Sequence, residues 1–316
     1  MPIALSQIRQ DVRDDLADTS TTFLSDDILN RYIMRAQQDF VERTECVEDT
    51  WTTTTVAGTQ GYDLPVDCIG IERVSFDNSK IDHKDYASFD TTLIDTDSTG
   101  TPEFWDVFGE DGYPAQIKLG PPPASAATLK LFYYKMPPLY AFTLAHSDAS
   151  ATAVTVEVTA ADVEFIVTGG SNAGTYTKTF ASATTVAEII SWANALGVGF
   201  TATISPDCRS DEPSTRLEAF ASVSWISVTN NLFLQISIRT ALIKPLRDLI
   251  VSMCFEREGD GPASDRRAAK YEYATQPAYA RARRRKNQEC LYFMRTASYY
   301  SSESEPCWDR IPDTIV

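Results

Sequence analysis

Apolar residues recur at helical spacing near both ends of the chain and alternate along its middle, and this change of period divides the sequence. Leu5, Ile8, Val12 and Leu16 predict a first amphipathic helix. A second opens after Ser25, whose hydroxyl is placed to cap the free amides above Asp26 and Asp27, with Leu24 and Leu29 set as a hydrophobic staple. Its apolar stripe is Leu29, Tyr32, Ile33, Ala36 and Phe40. Asp27, Asn30, Arg31, Gln37, Gln38 and Glu42 are expected on the wet side. After Leu232 the helical period returns with Leu242, Leu246, Leu249, Ile250 and Met253, and Gly259 to Pro262 should end that helix. A last helix is expected from about 263 to 295, kinked or divided at Pro277, where a proline removes an internal hydrogen bond.

From Trp51 the pattern is that of strands broken by turn residues: Thr52 to Val56, Tyr62 to Pro65, Ile69 to Phe76, Phe104 to Val107, Gln116 to Leu119 and Leu129 to Tyr134. The prolines 121–123 and 137–138 punctuate strand ends. Between about 147 and 231 the chain is rich in Thr, Ala, Ser and Val and poor in Lys and Arg. There Val154, Val156 and Val158 alternate, as do Val163, Phe165 and Val167. Tyr176 to Phe180 follows a Gly169-Gly170 turn, and Thr185 with Glu188 makes a capping box for one helix carrying Val186, Ile189, Ile190 and Ala193. Phe200 to Ile204 and Val223 to Val228 read as returning strands.

The periods together predict an α+β protein in which a helical bundle from the N- and C-terminal helices (1–50 and 241–300) packs with an antiparallel β region (51–140). That core, 1–146 and 232–300, carries an inserted β-rich small domain at 147–231. Residues 301–316, with Pro306 and Pro312 and neither period, form an extended tail.

With 316 residues, 43% of them apolar, the chain is long enough for two ordinary cores. No run approaches the roughly 20 apolar residues that span a bilayer, so no membrane partner is expected. Arg9, Asp11 and Arg13 interrupt the start before any apolar signal region forms, so no export signal is expected either. Six cysteines are scattered singly and only His83 and His146 are present, which leaves thiolate or imidazole metal clusters without support and makes free thiols in a reducing compartment the expectation.

Catalytic chemistry finds no footing. The acidic pairs Asp14-Asp15, Asp26-Asp27 and Glu110-Asp111 sit at helix starts or beside glycine, where carboxylates cap and solubilise. There is no GxSxG elbow, HExxH, phosphate loop or dinucleotide fingerprint, and residues 169–174 read as a hairpin turn. His83, in a polar run, reads as a surface residue. No catalytic residue, metal ligand or cofactor is expected.

The charge distribution is more informative. From Arg266 to Arg295 nine Lys/Arg face two Asp/Glu, a net +7, so the rest of a chain with formal charge −16 carries −23. The centre of this segment is Arg281, Arg283, Arg284, Arg285 and Lys286, and such a tract marks either an anionic partner or a seam against the chain's own carboxylates. Arginine contact with phosphate would be independent of sequence and sensitive to salt.

In this order the elements resemble the head-to-tail adaptors of tailed bacteriophages, the connector, head-completion or tail-tube gatekeeper family. The resemblance rests on Leu24 to Ile33 with Ala36-Gln37, on Gly61-Tyr62-Asp63-Leu64-Pro65, and on Gly100-Thr101-Pro102 with Trp105. Ile117 to Pro123, Leu129 to Leu139 and the closing helical pair extend it. It covers about two thirds of the chain, 1–140 and 240–300, and departs from the family pattern at 147–231. It implies a non-enzymatic virion protein at the neck, assembled in the host cytoplasm. Its implied partners are the portal protein, the tail nozzle or tube proteins, further copies in a twelve-fold ring, and packaged DNA through non-specific contacts. The basic helix 281–286 would then line the DNA channel or an intersubunit seam, and Trp308, Ile311 and Ile315 would dock on the portal. The segment 147–231 would project as decoration or as a contact for a tail protein. Two other readings remain open on the residues alone. One is a nucleic-acid-binding protein acting through the basic helix; the other is a tail-associated glycan-binding protein using Tyr176, Trp192 or Trp225.

Overall fold

A computed structural model of the chain describes residues 3–17, 24–84, 99–108, 115–224, 229–238, 240–258 and 261–276. The architecture is α+β, with antiparallel sheets and helices from both ends of the chain packed together.

Helix α1 (Leu5–Leu16) buries Leu5, Ile8 and Val12, three residues on one stripe, and ends where Ala17 turns left-handed. Helix α2 (Asp26–Thr44) buries Leu29, Ile33, Ala36 and Phe40, with Leu24 and Leu29 both fully enclosed. Helices α4 (Ile243–Glu258) and α5 (residues 261–276) pack on these two. Leu246 and Ile250 are in the core, and the Tyr271 ring is tilted against that of Phe40 with centroids 6.1 Å apart. Each such side chain contributes about 1.5–3 kcal/mol on burial.

Two expectations for α2 are corrected. Ser25 stands at the N-cap position in extended backbone, but its side chain makes no capping hydrogen bond. The entry is instead held by Arg13, whose guanidinium donates to the Leu24 carbonyl and to Asp26 Oδ1, each at 2.7 Å. Asn30 and Gln37, expected outside, are buried because other elements cross that side of the helix. Asn30 Oδ1 accepts from Arg9 of α1 at 3.0 Å, and Gln37 Oε1 accepts from the Ser237 amide at 3.1 Å.

The middle of the chain forms a seven-stranded sheet of order β1-β7-β3-β4-β5-β6-β2. Its strands are β1 (Glu48–Thr54), β2 (Gly61–Asp63), β3 (Cys68–Phe76), β4 (Ser79–His83), β5 (Phe104–Phe108), β6 (Gln116–Gly120) and β7 (Thr128–Lys135). All pairings are antiparallel except a short parallel one between β4 and β5. The inward positions of alternating strands, Val74, Ile117, Leu119, Leu129, Leu131 and Tyr133 among them, make a second core.

The chain then builds β8 (Phe142–His146), β9 (Ala153–Val158), β10 (Asp162–Thr168), β11 (Gly174–Thr179), helix α3 (Val186–Ala195), β12 (Phe200–Ile204), β13 (Phe220–Ser224) and β14 (Thr229–Leu232). These give a four-stranded sheet, β11-β10-β9-β13, and a three-stranded one, β12-β8-β14, over a third core. The Val154/Val156/Val158 and Val163/Phe165/Val167 alternations are the buried faces of β9 and β10. Gly169 and Gly170 take positive φ in the turn between β10 and β11. The capping box of Thr185 and Glu188 is present in full. Strand β8 precedes residue 147 and pairs with β12 and β14.

Candidate functional site

Strand alternation places Leu129, Leu131, Tyr133 and Lys135 of β7 on one face, so an apolar stripe ends in a phenol and an ammonium. Around that end three other segments supply acids. Asp49 lies opposite Tyr133 in the β1–β7 register, Asp67 sits in the turn between β2 and β3, and Glu212 comes from the loop after β12. The Lys135 ammonium stands 2.5 Å from Glu212 Oε2, 3.2 Å from Asp49 Oδ2 and 3.6 Å from Asp67 Oδ2. The Tyr133 hydroxyl donates to Asp67 Oδ1 at 3.0 Å and accepts from Arg209 Nη1 at 2.6 Å. Arg209 is held in turn by Asp211, and Arg216 Nη1 closes the set on Glu212 Oε1 at 2.5 Å. The side chains of Lys135, Asp67 and Glu212 are 5%, 1% and 2% exposed, so this is a desolvated cluster rather than a surface pair.

Burial opposes the charge on Lys135, but the attraction of Glu212 together with Asp67 and Asp49 outweighs it and raises the lysine pKa above its usual value. For Asp67 the balance is reversed: burial dominates Lys135 and Arg209, and the carboxyl titrates above the ordinary range. Burial also lifts the Tyr133 phenol and drives the Cys68 and Cys208 thiols up to about 12, which leaves them protonated and unreactive. The carboxylates converge on an ammonium that fills the space a cation would take. Among the described residues no cluster of His, Cys, Asp or Glu is arranged to hold a metal ion.

The loop carrying Arg209 and Glu212 also fastens the helices. Asp207 Oδ2 accepts from the Leu139 amide at 2.8 Å and from Gln38 of α2 at 3.4 Å. Glu218 Oε1 accepts from the Ser6 amide, in the first turn of α1, at 2.9 Å. Residues 205–218 therefore touch all three cores, and their polar side chains join the sheets to the bundle. Lone buried charges cost several kcal/mol each, so this geometry holds only when the partners are complete.

The residues singled out from the sequence are placed as follows. Arg281, Arg283, Arg284, Arg285 and Lys286, and the tail anchors Trp308, Ile311 and Ile315, lie outside the described residues. Of the basic segment, Arg267 is described and pairs with Asp248 at 2.8 Å. His83 is exposed, as expected of a surface residue, and lies 3.2 Å from Asp106 and against the Trp105 ring. Trp192 packs on Phe165 and Tyr176 rests on the same core, so neither forms an open aromatic platform; Trp225 lies outside the described residues. Asp15 and Asp26 pair with Arg247 and Arg13. Lys135, Asp49, Asp67, Arg209 and Glu212 have no motif in the sequence, and the only local signal is a lysine in phase with the buried positions of β7.

No described helix is long and apolar enough to cross a membrane. No curated relative matches this sequence. The family model of the SU10 adaptor protein matches residues 3–190, from the start of α1 through the seven-stranded sheet and β8–β11 into α3. The match thus takes in about half of the segment 147–231 and leaves α4 and α5 outside it. With more than half of its 316 residues matched, the chain belongs to the SU10 adaptor protein family, a family of bacteriophage structural adaptors.

Proposed function

We propose that this structural virion component is the head-to-tail adaptor of its phage: copies form a twelve-fold ring beneath the portal, join it to the tail nozzle or tube, and surround the exit path of the DNA. The observation that carries the reading is the family match over residues 3–190. The loop 205–218 is consistent with it, because it ties the seven-stranded sheet through Arg209 and Glu212 and the helices through Asp207 and Glu218. In this reading the basic tract Arg281 to Lys286 meets packaged DNA or a neighbouring subunit, and Trp308, Ile311 and Ile315 dock on the portal as apolar anchors. Residues 147–231 act as an inserted domain facing outward to a tail protein. Assembly is cytoplasmic and involves no membrane.

Particles assembled without this chain test the proposal. Heads that fill with DNA but lose it and carry no tails are the expected products. Intact tailed particles that retain their genome would refute it.

A further inference from the structure

We propose that the groove between α4 and α5 holds the chain's own C-terminal segment, residues 301–316, before the protein is assembled. The groove has a volume of roughly 530 Å³ and is lined by Lys244, Arg247, Arg267, Ala269, Lys270 and Tyr273, with Asp248 at its wall. Its two arginines are already committed. Arg247 Nε lies 3.0 Å from Asp15 Oδ2, and Arg267 Nη1 lies 2.8 Å from Asp248 Oδ1 and 3.9 Å from Asp15 Oδ2. Lys244 and Lys270 are exposed and form no ion pair with a carboxylate among the described residues, and Tyr273 beside them is 77% exposed. The floor between them is alanine and the aliphatic stems of the long cations.

A surface of this kind favours an occupant with a few spaced carboxylates and apolar anchors. A nucleic-acid backbone gains little here, because Asp248 in the wall and Asp15, paired with both arginines from α1, offset their charge. The chain carries the matching segment. Residues 301–316 contain Glu303, Glu305, Asp309 and Asp313 against Arg310, a net −3, interleaved with Trp308, Ile311 and Ile315. The twenty-four residues from 277 to 300 link the two, starting at Pro277, where the helix is expected to kink or divide and so to let the chain turn back. Tethering gives the segment a local concentration of about millimolar, so modest contacts suffice. The docking stands on the groove and the sequence alone. Its consequence rests on the adaptor reading: the anchors assigned to the portal are sheltered until the portal competes for them, which keeps the free chain from joining other copies.

The full-length chain tests this through Cys307, the neighbour of Trp308. With A269C at the groove, mild oxidation should form an intramolecular 269–307 disulfide about tenfold faster than a 175–307 disulfide in T175C, where the new thiol stands on the exposed edge strand β11. K244E/K270E should reduce the A269C rate to that reference. Equal rates for the two positions, an A269C rate indifferent to K244E/K270E, or cross-links only between molecules would each overturn the proposal. So would a short DNA duplex that shields Lys244 and Lys270 from acetylation while cross-linking stays at the reference rate. Failure of the chain to bind portal, with the cross-link intact, would remove the adaptor reading and leave the docking in place.

Discussion

Lys135 Nζ lies 2.5 Å from Glu212 Oε2, which joins the last residue of β7 to a loop 77 positions later in the chain. Both side chains are almost wholly buried, so neither charge has water to fall back on. Lys135→Met removes the ammonium shared by Glu212 and Asp67 and leaves Glu212 only Arg216 and Asp67 only the nearby Arg209, and the expected loss is about 3–5 kcal/mol in denaturant unfolding. The double variant K135M/E212L removes both charges and should lose clearly less than the sum of its singles. Additive losses in that cycle would show that the two residues are not coupled.

The same pair sets an alkaline limit. The folded pKa of Lys135 lies above its unfolded value of about 10.5, so its contribution is complete below that pH and is lost as pH rises through the folded value. Cys68, pushed up to about 12, and the raised Tyr133 phenol weaken the fold on the alkaline side in wild type and variant alike, and Cys208 feels Lys135 only as a minor influence beside burial. The stability gap between wild type and K135M therefore reports chiefly the lysine. It should be constant from pH 7 to 10 and narrow above that; a gap that widened with pH would contradict the assignment.

Glu218 ties α1 to the strands through the Ser6 amide. Glu218→Ala leaves that amide without its acceptor, at an expected cost of about 1–3 kcal/mol. Hydrogen exchange should show faster exchange at the start of α1 with the β9–β10 amides unchanged. Uniform acceleration through the molecule would mean that the contact is not local.

Thr185 accepts from the Glu188 amide and begins α3. Thr185→Ala should cost about 1 kcal/mol, read as a shift in the unfolding midpoint, and Thr185→Ser should recover most of it. Loss in T185S equal to that in T185A would remove the hydroxyl from the explanation.

At Gly120 an added Cβ would run into the buried ring of Phe104, its partner across the β5–β6 pair. Gly120→Ala is expected to destabilise by about 1–3 kcal/mol through overpacking, and trimming the ring in G120A/F104L should return part of it. A G120A variant as stable as wild type would show that the ring has room to move.

The features legible in the sequence are the local ones. The capping box at Thr185, the valine alternation of β9 and β10 and the stripes of α1 and α2 are set by residues within a few positions of one another. Asn30 and Gln37 read as exposed because their helix alone decides nothing: their burial comes from Arg9 and Ser237, distant in the chain. The joint around Lys135 was hidden for the same reason, since its acids come from β1, the β2–β3 turn and the loop after β12. Ser25 has the right position for a cap, yet Arg13 supplies the contacts from another helix.

The central claim is that this chain joins the portal of its phage as a ring of adaptors. The most direct measurement is the mass of the complex formed when the purified full-length protein meets isolated portal rings, beside the protein alone at equal concentration. The account predicts one adaptor per portal subunit in a stable complex, and no ring without the portal. A chain that stays apart from the portal ring, or binds it without that stoichiometry, would contradict it.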